Sequence, residues 1–305
     1  MSISVIIPNW NAGDLLRDAV MSVNGDLLVS EIIVVDNAST DGSADRLLEL
    51  GLHKLRLIRN ITNIGAAKAR NIGVTESINK FVSFLDADDL LSKDALSSAM
   101  YCIINNNLDM CILNMLRLFD DNQTKEFVPH LKGIISGREA FQLTLAGWKI
   151  HPMGLMRREL YDRAMSSFTF HGHSDDELLT RHLFLAADRV GSVKGSYLYR
   201  DNHKPLTAER ATGQASTELK VLDLAISQRP EIPESLIRQT RNYSIGLLLI
   251  LWKQLLKEGK SPRVMSSMLR QVADQRIDWR PSDWRHFLAF SAMRASMPVL
   301  SYRAS

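Results

Sequence analysis

Through its first 118 residues the chain sets short runs of β-branched and aliphatic residues against longer amphipathic ones. That rhythm is the tightest constraint on its fold. Strand-like runs fall at Ile3–Ile7, Glu31–Val35, Lys54–Ile58, Phe81–Leu85 and Met110–Leu116, with helical stretches near Gly13–Ser22, Gly42–Leu50, Gly65–Ser77 and Ser92–Asn105. Near-continuous apolar runs imply strands buried on both faces, and helical crossovers imply that they run parallel. The expected fold class is α/β, a Rossmann-like doubly wound sheet. An apolar content of 45% over 305 residues is ample for one such domain and an appendage.

Sheets of this kind collect ligands at the carboxyl ends of their strands. Four loops occupy those ends: "PNWN" at 8–11, "DNAST" at 36–40, "RNITNIG" at 59–65 and "DADD" at 86–89. The last is the sharpest signal. Asp86, Asp88 and Asp89 crowd three carboxylates into four positions straight after an apolar run. Such charges repel unless something offsets them, and a D-x-D spacing suits Mg²⁺ or Mn²⁺ shared with substrate phosphates.

The other loops supply further candidates. Asp36 lies before the turn that caps the helix near Gly42, so capping does not account for it, whereas Asp41-Gly42 fits that role. An aspartate there can accept from a ribose hydroxyl or a base N–H. In "NITNIGAAKARNIGV" the small residues Gly65, Ala66, Ala69 and Gly73 favour close helix packing, while Arg70 is placed either to reach a phosphate or to face solvent. Further on, "SDDELLTRHLFLAADRV" opens a helix with Asp175, Asp176 and Glu177. Acidic residues are favoured by the dipole in a first turn, and a general base is the functional alternative.

After residue 117 the rhythm breaks. Residues 119–133 suggest a hairpin or excursion loop, followed by a short helix near Gly137–Ala146, the segment "KIHPMGLMRREL", the acidic helix and strand-like "GSVKGSYLYR". From about Ala215 the chain reads as almost continuous helix, broken at 229–233, 259–262 and 279–284. The expected domains are 1–210 and a helical C-terminal region, 211–305. Residues 1–210 hold 23 Lys+Arg against 26 Asp+Glu, and 211–305 hold 14 against 8 with three of the five tryptophans. A basic, Trp-bearing tail suits an anionic partner. Cys102 and Cys111 sit in apolar surroundings and are expected as thiols, in keeping with a cytoplasmic protein. Met1 leads straight into "ISVIIP", so no signal peptide is expected, and the apolar "IGLLLILW" is too short to span a bilayer.

Together these segments resemble the family-2 glycosyltransferases, inverting enzymes with the GT-A fold. Over residues 2 to 210, "SVIIPNWNAGDLL", "EIIVVDNASTDGS", "NIGAAKARNIGV", "FVSFLDADDLL" and "DDELLTRHLFLAADRV" with "YLYR" match that family's elements in order. The resemblance implies a GT-A catalytic domain with a C-terminal helical subdomain, moving a sugar from a UDP, GDP or dTDP donor to a glycan or lipid-linked acceptor. It implies that Asp36 contacts base or ribose over a floor of Pro8, Asn9 and Asn11, with Asn37 beside it. Asp86 would face the ribose or the metal's outer shell, with Arg70 and Ala87 also bordering the nucleotide sugar. Asp88 would ligate the metal, supported by Asp89, and His203 or Arg200 would reach the metal or diphosphate from the loop at 199–207. The base position usually reads Glu-Asp and here reads Asp175-Asp176, which makes Asp176 the base with Asp175 its neighbour. Trp148, His151 and Met153 would border the acceptor. For the tail, peripheral contact with the inner face of the membrane, homo-oligomerisation and simple packing on the catalytic fold all stay open.

Rival readings are weaker. A nucleotidyltransferase needs an early Gly-rich phosphate loop, and "PNWNAGDLL" has a single glycine. A dehydrogenase needs G-x-G-x-x-G after the first strand, which is missing. A non-catalytic nucleotide- or carbohydrate-binding protein on the same fold is disfavoured by the joint presence of D-x-D and Asp175-Asp176. Nothing points to nucleic acid as a partner.

Overall fold

The computed structural model describes residues 1–170, 175–200, 208–228 and 230–259. The chain divides into two compact units, Met1–Thr144 with Trp148–Asn202, and Leu145–Gly147 with the chain from 203 onward.

The first unit is built on one sheet. In chain order its described strands are β1 (Ile3–Asn9), β2 (Val29–Asp36), β3 (Leu55–Arg59), β4 (Phe81–Phe84), β5 (Leu90–Leu91), β6 (Met110–Leu118), β7 (Thr124–Glu126), β8 (Ile135–Ser136), β9 (Gly154–Arg157) and β10 (Arg189–Arg200). Their order across the sheet is β3-β2-β1-β4-β9-β6-β10-β5, with β7 on β6 and β8 on β10. Strands β3, β2, β1 and β4 are mutually parallel, as the alternating pattern predicts, and β10 runs parallel to β6. The sheet is not parallel throughout. Strand β9 lies antiparallel to both β4 and β6 at its centre, and β5, β7 and β8 also pair antiparallel. The apolar runs are explained by burial on both faces: every residue of β1 is buried, and so is β2 apart from Ser30.

Helices α1 (Leu15–Asn24), α2 (Ser43–Leu48), α3 (Ala66–Glu76) and α4 (Ala95–Asn106) follow β1, β2, β3 and β5 respectively. In α1 the buried residues Leu16, Ala19, Val20 and Val23 repeat at helical spacing, giving one apolar stripe for the core. Helix α3 has a weaker stripe but a closer approach: a Cβ added to Gly73 would come within 2.3 Å of Ile6 Cγ2 on β1. The small-residue face of this helix therefore packs hard on the sheet. Gly65, at φ +85°, turns the chain into the helix through a conformation that favours glycine. Helices α5 (Gly137–Leu143), α6 (Arg158–Met165) and α7 (Asp175–Ala186) complete the unit. A capping box between Ser136 and Glu139 starts α5.

In the second unit, α8 (Ala208–Ser227) and α9 (Glu234–Lys257) pack on each other, with Ser244 Oγ donating to the Glu218 carbonyl at 3.2 Å. Both fall where the sequence reads as continuous helix. Among the described residues no helix is long and apolar enough to cross a membrane. Both cysteines are free, Cys111 buried and Cys102 half-buried.

Candidate active site

The ends of β1 and β2 form the first part of the site. Asn9 and Asp36 are register partners, and Asn9 Nδ2 donates to Asp36 Oδ1 at 2.8 Å, to Ser39 Oγ at 3.1 Å and to Ser43 Oγ at 3.2 Å. Both residues are buried, and Asn9 Oδ1 is shut from solvent without a partner. Asn37 accepts from Asn60 Nδ2 at 2.8 Å. Asn11 closes the loop from the other side, its Oδ1 accepting from Thr40 N at 2.8 Å. Pro8 belongs to the strand itself. It lies two residues past Ile6, the last β1 residue paired with β4, and faces the same side, so its missing N–H breaks no ladder bond.

The three carboxylates after β4 meet three different environments. Asp86 forms an ion pair with Arg70, and its backbone N–H donates to the Tyr197 hydroxyl at 3.1 Å. Asp89 is buried, accepting from the Tyr197 hydroxyl and from Arg200 N, each at 2.8 Å. Burial, with Asp86 nearby, pushes its pKa up to about 8. Asp88 stays half-buried between them, and Ala87 is buried. The crowded charge is thus largely offset by the protein. Arg70 answers Asp86, and desolvation favours a proton on Asp89, which makes Asp89 a structural anchor for β10.

Helix α7 brings the second acidic pair. Asp175 is buried in its first turn, whereas the Asp176 side chain is 44% exposed and lies 3.6 Å from Arg70 Nη1. The Arg70 guanidinium is buried between Asp86 and Asp176, 5.8 Å from the centre of the Phe84 ring. Burial opposes its charge, but the two carboxylates more than offset that, and its pKa is raised. The expected choice between a phosphate and open solvent for Arg70 therefore has a third answer: carboxylates on two sides.

His151 precedes β9, whose Leu155 pairs with Ser83 of β4, so the imidazole comes beside the Asp86–Asp89 loop. Its Nδ1 is buried without a partner, and burial lowers its pKa to about 4, leaving a neutral ring. Trp148 lies 5.8 Å from His151 and packs under Arg181, whose guanidinium carbon is 4.2 Å from the indole centre. Trp148 is thus held by an arginine that is itself fully buried. Arg200 turns its side chain to Asp18, 2.9 Å away. His203 lies outside the described residues.

Tyr197 is the functional neighbour that motif reading misses. It bridges Asp86 and Asp89, yet in "YLYR" nothing separates it from Tyr199, two positions on. The two share one face of β10, and only their neighbours tell them apart: Tyr197 is fully buried against Asp86 and Asp89, while Tyr199 is half-buried and stacks on Phe127 at 5.2 Å.

Among the described residues no three His, Cys, Asp or Glu side chains converge as a metal cage. The donor set on offer is carboxylate oxygen from Asp88, with Asp86 two residues before it. That suits a hard cation that keeps waters and completes its shell on a ligand's phosphates. The residues fit a shared Mg²⁺ or Mn²⁺ rather than an all-protein site.

A sheet of this topology, with acidic loops at the carboxyl edge of its strands, defines an α/β domain that takes its ligand at that edge. The chain belongs to glycosyl transferase family 2, matched over residues 4–164. It is 28% identical over 209 residues to the uncharacterized glycosyltransferase YibD of Escherichia coli, covering 65% of this chain and 60% of YibD. The poly(ribitol-phosphate) beta-N-acetylglucosaminyltransferase TarS of Staphylococcus aureus is 26% identical over 211 residues, 65% of this chain and 35% of TarS. The chain spans about 60% of the length of the curated relatives it matches first. Among solved structures, residues 1–349 of TarS in complex with UDP-GlcNAc superimpose with a TM-score of 0.64 at 16% identity, covering 99% of this chain and 93% of that one. The mannosyltransferase PcManGT of Pyrobaculum calidifontis, in complex with GDP-Man and Mn²⁺, gives 0.57 at 15% identity, covering 96% and 86%. These likenesses establish a shared GT-A fold.

Proposed function

We propose that the chain transfers a glycosyl group from a nucleoside diphosphate sugar to a hydroxyl of a surface glycan, polymeric or lipid-linked, with inversion at the anomeric carbon. One observation carries this reading. Asp36, the Asp86–Asp88 pair and Asp176 come from three separate stretches of sequence, yet the ends of β2 and β4 and the start of α7 bring them to the carboxyl edge of the sheet, with Arg70 joining Asp86 to Asp176. TarS and PcManGT were solved with UDP-GlcNAc and GDP-Man, which supports a nucleoside diphosphate sugar and leaves the base open.

In this reading Asp36, fixed by Asn9, receives the base or ribose, with Pro8, Asn11 and Asn37 walling the pocket. Asp86 and Ala87 border the ribose and sugar. Asp88 would hold Mg²⁺ or Mn²⁺, which when bound neutralises charge on the departing diphosphate. Asp176, the exposed member of its pair, accepts the proton from the acceptor hydroxyl. The hydroxyl oxygen bonds to the anomeric carbon from the face opposite the leaving group. The bond from that carbon to the diphosphate breaks, and the nucleoside diphosphate takes the electron pair. Neutral His151 is placed to meet sugar hydroxyls beside the loop. The positive excess of residues 211–305 fits a peripheral contact with anionic lipid, where a lipid-linked acceptor would lie.

The test is nucleoside diphosphate release from UDP-glucose, UDP-GlcNAc, GDP-mannose and a dTDP-sugar, each with Mn²⁺. At least one donor is expected to turn over, and Asp176→Asn to slow it by about 10²–10⁴-fold with donor affinity retained. Equal rates in wild type and Asp176→Asn would remove Asp176 from the mechanism.

A further inference from the structure

We infer that Arg70 is a positioning residue that holds Asp176 in register with Asp86, its guanidinium serving as a two-sided clamp and not as a ligand of the donor's phosphates. This rests on the glycosyl-transfer reading above.

The geometry restricts Arg70 from every side. Nη2 bonds to Asp86 and Nη1 faces Asp176 at 3.6 Å, so two edges of a rigid planar fork are already committed. The side chain is only 8% exposed, with Phe84 against it. Its Nε is shut from solvent and has no acceptor. Swinging the fork to a third anion would break one of the two carboxylate contacts inside a poorly hydrated site.

Seen from Asp176 the dependence is stronger. Its carboxylate is 44% exposed, and Arg70 is its one protein partner among the described residues. Thr180 Oγ1 bonds to the Asp176 backbone carbonyl, which fixes the helix and leaves the carboxylate free to turn. A general base must point at one hydroxyl within hydrogen-bond reach, and a misplacement of about 1 Å can cost about 100-fold in rate. Arg70 supplies that direction from a helix with little freedom of its own, because α3 is seated against Ile6 through Gly73. Since the same guanidinium grips Asp86, base and donor site are set by one group.

The experiment compares wild type with Arg70→Met and Arg70→Lys. Calorimetry with UDP, GDP and dTDP in Mn²⁺ gives affinity, and donor turnover gives kcat. For the diphosphate that wild type binds, Arg70→Met is expected to keep affinity within threefold and to lose kcat by about 100-fold. Arg70→Lys, a point charge that cannot fork both carboxylates, is expected to keep affinity and recover only part of kcat. Should Arg70→Met melt early, Arg70→Lys carries the same comparison, with at least a tenfold loss in kcat. A tenfold loss of affinity with turnover of bound donor unchanged would make Arg70 a phosphate ligand and overturn the clamp. No change in either quantity overturns it as well. Binding of none of the three diphosphates by wild type would instead sink the glycosyl-transfer reading, a result separate from any effect of Arg70.

Discussion

Asp86, Asp88 and Asp89 are adjacent in sequence and chemically unlike in the fold. Asp86 is paired with Arg70, Asp89 is buried on Tyr197 and Arg200 N, and Asp88 is half-buried between them. A sequence displays three equal charges, and only three-dimensional context assigns them different work. His151 illustrates the same dependence, and its protonation has a measurable consequence. Burial depresses its pKa from 6.5 to about 4, so the unfolded chain binds more protons than the folded one between those values. Its contribution to stability is therefore complete above pH 6.5 and is lost as pH falls towards 4. Asp89, raised to about 8, acts in the opposite sense in both proteins, so the test is the difference: the wild-type denaturant midpoint is expected to fall relative to that of His151→Gln as pH goes from 6.5 to 4. Identical slopes in the two proteins would show that the imidazole is already solvated when folded.

At the level of elements, the first four strands and their helices lie within a few residues of where the apolar rhythm puts them, and the carboxyl-end loops do gather together. Strands β1, β2 and β4 are legible because double burial demands continuous apolar runs, while the edge strand β3, with no buried residue, is marked by its aliphatic Leu55, Leu57 and Ile58. Strand β9 was not legible. Its four residues "GLMR" carry a glycine and an arginine and follow a proline, and no hydrophobic period marks them. It is specified by its neighbours, since β4 and β6 leave a gap that an antiparallel segment fills. That insertion carries His151, already expected at the acceptor side, to the Asp86–Asp89 loop by a strand the sequence does not mark. Helix α3 offers the sharper test of packing. Gly73→Ala would drive a methyl group to 2.3 Å from Ile6 Cγ2, a fully buried atom group with nowhere to go. The expected cost is about 1–3 kcal/mol in denaturant unfolding, with kcat falling further than stability alone explains, because Arg70 rides on the same helix. An unchanged midpoint would mean that α3 is more loosely seated than its glycines imply.

For the whole molecule, the charge division between residues 1–210 and 211–305 has no counterpart in the catalytic chemistry. The second region carries 14 Lys+Arg against 8 Asp+Glu, and no described helix can cross a bilayer. The proposed surface contact with anionic lipid would rest on that charge and must then be salt-sensitive. Full-length protein is expected to sediment with vesicles containing phosphatidylglycerol at low ionic strength, and to be released by about 0.5 M salt, where screening reaches only a few ångströms. Equal binding to neutral vesicles would replace electrostatics with apolar insertion.

The central claim is that acids from separate strands form one donor site that shares a cation with its ligand. Calorimetric titration with UDP, GDP and dTDP, in Mn²⁺ and again in EDTA, tests it most directly. At least one diphosphate is expected to bind in Mn²⁺, at least tenfold more tightly than in EDTA, and Asp88→Ala is expected to abolish that difference. Binding of no diphosphate under either condition would contradict the donor site. Binding indifferent to both EDTA and Asp88→Ala would keep the nucleotide pocket and reject the shared cation.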